Sequence, residues 1–210
     1  MKHIVLLGDS IFDNATYVKG GLDVITHLRQ QISSEWKATL RAVDGSLVED
    51  VRRQTLNLPD DATHLVVSVG GNNAILNADI LQQPARSSAE VLNTLADVAS
   101  AFEAQYHEML HTVLSLQKPT AVCTIYYPRM PEPLVQKIAV AALTIFNDVI
   151  IRQALLAGVP LIDLRLVCNE DADYANEIEP SETGGGKIAK AVVRLVSEHE
   201  FASRRTQAFF

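Results

Sequence analysis

The 210-residue sequence lacks any basic run or arm, with 18 Lys and Arg against 25 Asp and Glu and a formal net charge of −7. Nucleic-acid binding rests on phosphate neutralisation and counterion release, so this shortage of cations excludes a phosphate-backbone partner. Cysteine is scarce as well. Cys123 and Cys168 are too few for a disulfide framework and have no metal-like spacing, so both are expected to be buried, reduced thiols packed as small hydrophobes. The first apolar run, Ile4 to Leu7, is far shorter than a signal peptide or a membrane span requires. The expectation is a soluble, cytoplasmic protein without a membrane span. Internal repeats, low-complexity blocks and linkers are missing too, which leaves one domain over residues 1–202 and a tail over 203–210, where Phe209-Phe210 could dock on the body.

What is present is an alternation. Apolar, β-branched runs occur at His3–Leu7, Ala38–Val43, His64–Val69, Thr120–Tyr126 and Pro160–Leu164, and segments of helical periodicity separate them. That order indicates an α/β protein with a parallel sheet covered on both faces. From Ser88 to Leu116, Val91, Leu95, Val98, Phe102, Met109, Val113 and Leu116 form one apolar stripe, predicting an amphipathic helix on the sheet. Pro133 opens a second long helix with Gly158 as its C-terminal cap, and a third starts near Thr183.

In parallel sheets, ligands bind beyond the carboxyl ends of the strands. Four junctions there carry chemistry-bearing residues: Gly8-Asp9-Ser10, Asp44-Gly45-Ser46, Gly70-Gly71-Asn72-Asn73, and Asn176-Glu177-Ile178-Glu179-Pro180-Ser181 before the last helix. In this order, the blocks resemble those of the SGNH (GDSL-like) hydrolases, which carry an early GDS serine, a glycine after the second strand, a GxND segment after the third and a late DxxH. The resemblance spans nearly the whole chain and implies a three-layer α/β/α, flavodoxin-like fold with a five-stranded parallel sheet. It implies Ser10 as nucleophile, with an oxyanion hole from the N–H groups of Ser10 and Gly45 and the side-chain amide of Asn72. Such donors matter because acyl transfer develops negative charge on a tetrahedral intermediate. No cofactor is implied, and the expected substrate is a small-molecule ester or thioester.

The late block departs from the family. Asn176 and Glu179 stand at the aspartate and histidine positions, and none of the six histidines lies in the block. A carboxylate can replace imidazole as general base if burial raises its pKa towards the working pH. Glu179 is the expected base on that argument, with Asn176 hydrogen-bonding its carboxylate and Asp173 as a fallback partner; sedolisin peptidases resemble this arrangement only in setting a glutamate beside a serine. The alternative is a catalytically silent binding protein of the same fold. Asn73 replaces the family's aspartate, and Asp9 and Asp13 read as carboxylates that order the loop by accepting backbone N–H bonds. Ser68 is no nucleophile elbow, since Val66 stands where that motif needs glycine.

His107-Glu108-Met109-Leu110-His111 matches the zinc motif H-E-x-x-H. At ~100° per residue both histidines project away from the stripe through Phe102, Tyr106, Met109 and Val113 and should face solvent, and no third ligand is placed by any pattern. Tyr126, Tyr127 and Arg129, after the fourth strand, read equally as wall of the site or as a packed turn.

Overall fold

The computed structural model describes residues 1–203 and 205–210. Its strands are β1 (Lys2–Gly8), β2 (Trp36–Leu40), β3 (His64–Ser68), β4 (Thr120–Cys123), β5 (Leu161–Ile162) and β6 (Ala208–Phe209). They form one parallel sheet in the order β2-β1-β3-β4-β5-β6. The helices are α1 (Val24–Gln31), α2 (Val51–Thr55), α3 (Gly71–Leu76), α4 (Ser88–Ser115), α5 (Pro133–Ala157), α6 (Leu164–Val167) and α7 (Glu182–Glu198). Strand alternation sorts the core. Ile4 and Leu6 of β1 pack with α1 and α7 on one face, whereas Val5 and Leu7 pack with α4 and α5 on the other. The three-layer α/β/α arrangement is the expected one, with six strands in place of five.

The sixth strand comes from the segment expected as a tail. Phe209 is buried, and the backbone of residues 207–209 bonds that of 161–163. The polar composition of residues 203–207 suggests a tail, but Phe209 docks on the body, and one buried aromatic outweighs that composition. Arg204, within the same segment, lies outside the described residues.

The helix predictions at Ser88 and Pro133 hold to within a residue, with Gly158 capping α5 in the left-handed conformation. The stripe on α4 does not bury evenly, however. Phe102, Tyr106, Met109, Leu110 and Val113 are in the core, while Val91 near the start is exposed. The reason is length, since a 28-residue helix spans ~42 Å and a five-residue strand only ~17 Å. The overhang falls at the carboxyl edge of the sheet. α5 behaves similarly: it is apolar and long enough to cross a membrane by length and composition, yet its second half buries Phe146, Val149, Ile150 and Ala154 in the core.

Candidate active site

β1 ends where it comes closest to β3. A Cβ on Gly8 would stand 1.8 Å from the Ser68 carbonyl oxygen, and φ at Gly8 is +126°, so only glycine fits. Asp9 N–H then donates to that carbonyl at 3.1 Å, and the Phe12 and Asp13 N–H groups donate to Asp9 O, turning the chain so that Ser10 sits at the sheet's edge. A buried residue that the motif reading missed clamps this turn. Gln54 accepts from Gly8 N–H at 2.7 Å, donates to Gly8 O at 2.8 Å, and donates to Ser46 Oγ at 3.2 Å. Its one sequence signal was a polar side chain beside the apolar Val51.

Gly45 lies in the loop after β2 with φ +77°, and a Cβ there would meet nothing within 4 Å. The left-handed backbone, not crowding, requires glycine at this position. Asp13 accepts from Asp44 N–H at 2.9 Å and Tyr17 donates to the Asp44 carboxylate at 2.8 Å, which orders the loop. From α3, Asn72 Nδ2 donates to Ser46 O at 3.0 Å and Asn73 Oδ1 accepts from Val48 N–H at 3.1 Å. Asparagine thus serves at 73 as a carboxylate would, because the bond needs only an acceptor. Among the described residues, the N–H groups of Ser10 and Gly45 have no backbone acceptor.

The late loop carries Glu179 back to Ser10. Tyr174 and Pro180 form an antiparallel bridge, and Ala175 N–H donates to Glu179 O at 2.8 Å. Three contacts fix this loop to the rest of the protein: Asn14 Nδ2 donates to Pro180 O at 3.1 Å, Tyr126 Oη to Ile178 O at 2.6 Å, and Arg129 N–H to Glu177 O at 2.8 Å. Tyr126 and Arg129 are therefore structural ties across the site. Asn14 and Tyr126 are both buried polar residues, and loop contacts of this kind leave no periodic trace in sequence.

Ser10 Oγ donates to Glu179 Oε1 at 3.1 Å. Both side chains are nearly buried, and Glu179 Oε2 is buried with no partner among the described residues. Burial pushes the Glu179 carboxyl up to about 7, opposed by the Ser10 hydrogen bond and helped by the nearby charge of Asp44. Burial likewise raises Asp9 to about 7, against the hydrogen bond from Ile11 N–H and with the charge of Glu179 adding to the rise. A hydroxyl bonded to a carboxylate poised near neutrality, with backbone N–H groups at Ser10 and Gly45 free of backbone acceptors among the described residues, is chemistry that suits acyl transfer to the hydroxyl.

The expected bond from Asn176 to the Glu179 carboxylate is not formed. Asn176 is exposed, and its Oδ1 accepts from the backbone N–H groups of Ile178 and Glu179, both at 2.9 Å. A short polar side chain satisfies its own turn before it reaches a neighbour's side chain. Asp173 is committed elsewhere: Lys187 Nζ lies 2.8 Å from its Oδ1, and the N–H groups of Asn169 and Glu170 donate to its Oδ2 at 3.0 Å.

Beside Ser10 opens an apolar cavity of about 180 Å³. Ile75 and Leu81, Leu95 and Val98 of α4, and Leu143 and Phe146 of α5 form much of its wall. Tyr126, Pro128 and Met130 close one side, whereas Tyr127 and Arg129 do not line it. His107 and His111 face solvent as the helix geometry required, with His107 Nδ1 3.0 Å from Gln153 Oε1. Among the described residues, no three His, Cys, Asp or Glu side chains are placed to hold a metal ion. Cys123 and Cys168 are buried and unpaired, and burial pushes the Cys168 thiol up to about 12.

A model of the GDSL-like lipase/acylhydrolase family matches residues 6–184. Among solved structures, the chain is similar to an extracellular lipase from Streptomyces rimosus, with 15% identity, a TM-score of 0.68, and 95% of this chain and 100% of that one covered. It is similar to phospholipase A1 from Streptomyces albidoflavus NA297 at 15% identity and a TM-score of 0.66, covering 94% and 99% of the two chains. A catalytic mutant of an acetylxylan esterase from Geobacillus stearothermophilus gives 15% identity, a TM-score of 0.65 and 95% coverage of each chain. A search of curated protein sequences found no match.

Proposed function

Because the chain belongs to the GDSL-like lipase/acylhydrolase family, we propose that it is a serine-dependent ester hydrolase in which Glu179 replaces the histidine base. The observation that carries this reading is the 3.1 Å hydrogen bond from Ser10 Oγ to a buried carboxylate whose pKa is raised to about 7. In the ionised form Glu179 accepts the Ser10 proton as Oγ attacks the ester carbonyl. The N–H groups of Ser10 and Gly45 and the Asn72 amide stabilise the resulting oxyanion. Protonated Glu179 then returns the proton to the departing alcohol or thiol, leaving an acyl-Ser10 ester. Water attacks that ester with Glu179 again as base, releasing the acid and restoring Ser10. A carboxylate needs no tautomer fixed, so the third member of a histidine triad has no role to fill here. Asn176 instead sets the backbone of the loop that aims Glu179.

The apolar cavity beside Ser10 favours an acyl chain longer than acetyl, since each buried methylene contributes about 0.8 kcal/mol when it leaves water. The test is a series of p-nitrophenyl esters from acetate to decanoate, with Ser10→Ala alongside. We expect kcat/KM to rise with chain length and to fall about tenfold per pH unit below about pH 7, where Glu179 takes up a proton. A fluorophosphonate should label wild type but not Ser10→Ala. Equal turnover by both proteins and no labelling would leave a binding protein of this fold.

A further inference from the structure

The walls of the cavity do not stop at its mouth. α4 and α5 each lead into a strand of a parallel sheet, so both run antiparallel to the strands and place their N-terminal ends beyond the carboxyl edge, where Ser10 lies. On α4, Leu95 lines the cavity and Val91, one turn earlier, carries the same stripe out to the surface beside Leu92, which is 65% exposed. On α5, Ala139 and Ala142 line the cavity, and Val135 and Ile138, one turn earlier in each case, emerge beside Leu134, which is 62% exposed. Before α4 in sequence, Ile75 and Leu81 line the same cavity and are exposed, as is Leu76 beside Ile75. Single exposed leucines are ordinary on any surface. An exposed apolar rim that is continuous with the lining of an apolar cavity is not ordinary, because it costs solubility and marks a binding face.

We propose that this rim docks the protein on the surface of aggregated lipid, a micelle, droplet or bilayer, so that an acyl chain passes from the lipid phase into the cavity. The proposal rests on the acylhydrolase reading for the identity of the chain but not for the docking itself. Two features select lipid over a second copy of this chain. The rim residues adjoin or belong to the cavity lining on three segments, so a protein partner seated on them would cover the approach to Ser10, whereas a lipid layer covers the rim and supplies the substrate through it. α4 packs on α5 and both line the one cavity, so the exposed leucines towards their N-terminal ends belong to the same side of the molecule. Charge defines the lipid further. The overhang carries Glu90, Asp97 and Lys137, and the chain's net charge is −7, so an uncharged or zwitterionic surface suits it and an anionic one does not.

The experiment is co-sedimentation of full-length Ser10→Ala protein with phosphatidylcholine vesicles, repeated with vesicles containing phosphatidylserine. Ser10→Ala removes hydrolysis, so binding is read without turnover. The expected result is saturable binding to phosphatidylcholine and weaker binding to the anionic vesicles. Introducing Leu92→Asp and Leu134→Asp together, both outside the cavity lining, should lower vesicle binding at least tenfold. In an otherwise wild-type chain, the same pair should lower hydrolysis of a long-chain ester presented in micelles by a similar factor. Hydrolysis of a short-chain ester below its critical micelle concentration needs no surface and serves as the folding control. Absence of vesicle binding overturns the proposal even if the enzyme is active. Binding by a protein without esterase activity retains the docking surface and refutes the acylhydrolase reading. Sedimentation velocity showing a wild-type dimer that the double variant dissociates would assign the rim to a second copy instead.

Discussion

Among the hydroxyl groups of this protein that sit against acid–base partners, two invite comparison, one bonded to Glu179 and one to His3 near the start of β1. At the carboxyl edge, Ser10 donates to Glu179. Elsewhere on the sheet, Thr39 Oγ1 lies 2.8 Å from His3 Nε2, and His3 Nδ1 lies 2.8 Å from Asp61 Oδ1. The second set has the hydroxyl–imidazole–carboxylate connectivity of a catalytic triad, and the first lacks the imidazole. Yet the proposed chemistry belongs to the first. Thr39 lies within β2, where its backbone is part of the ladder to β1, and the cavity that reaches Ser10 does not reach it. The Asp61 carboxylate is drawn down to about 2 by Lys37 first and His3 second, so it is held as an ion-pair partner. Connectivity alone therefore does not make a site. A site needs a cavity beside the nucleophile, N–H donors aimed where charge will develop, and a base held near the working pH.

The largest effect that separates the two sets is the loss of their bases. Glu179→Gln keeps the shape and removes the base, and kcat/KM for the preferred p-nitrophenyl ester should fall ~10²–10⁴-fold, with the acid limb near pH 7 abolished. His3→Gln should leave the same rate within about twofold of wild type. Donors come next. Asn72→Ala should lower kcat by ~10²–10³, with a small change in KM, because its second amide hydrogen is engaged only as the oxyanion forms. A fall confined to KM would assign Asn72 to ground-state binding.

How far the sequence revealed this arrangement depends on the kind of contact. Ser10 is placed by its block at the end of β1 and Glu179 by the resemblance of its late block to the family's DxxH, so two residues 169 apart can be paired in advance. The alternation of runs likewise revealed the layers. The ties made by Gln54, Asn14 and Asn147 were not legible. Asn147, for example, bonds both the N–H and the C=O of Ile125 at 2.8 Å from within an apolar helix, and helical periodicity carries no mark of what a polar residue will meet across the interface. The cavity was hidden for a different reason. It arises from helices that outrun the strands, a mismatch of lengths that becomes visible only after both have been placed. The sixth strand escaped because two residues are too short for any alternation to show.

Smaller effects sharpen the comparison through stability. Asp9 has a folded pKa of about 7, above the carboxylate value of 3.8, so protonated Asp9 stabilises the fold fully below pH 4 and that contribution is lost as pH rises through about 7. Asp9→Asn removes the titration. Relative to wild type, its unfolding free energy from urea melts should therefore be about 3 kcal/mol larger at pH 8 than at pH 4, given 1.4 kcal/mol per pH unit. A variant whose difference from wild type is the same at both pH values would show that folding leaves the Asp9 pKa unchanged. His3→Gln, silent in the assay, should cost about 1 kcal/mol in the same melts, because the buried His3 ring loses its bond to Thr39. The His3 set would then be established as a structural tie.

The smallest expected effect concerns Asn176, which holds the position where the family carries its triad aspartate. Its Oδ1 serves only the backbone N–H groups of Ile178 and Glu179, and its exposure lets water replace it. Asn176→Ala should cost about 1 kcal/mol of stability and lower kcat severalfold as the loop loosens. The decisive readout is the pH profile. A side chain bonded to the Glu179 carboxylate would tune that carboxyl's pKa, and its removal would move the acid limb. A side chain that only shapes the turn leaves the limb at about pH 7 while the plateau drops, and Asn176→Asp, which retains the turn's acceptor, should restore most of the rate. A limb displaced by a full pH unit in Asn176→Ala would return Asn176 to the catalytic group and make the Ser10–Glu179 pair a triad after all.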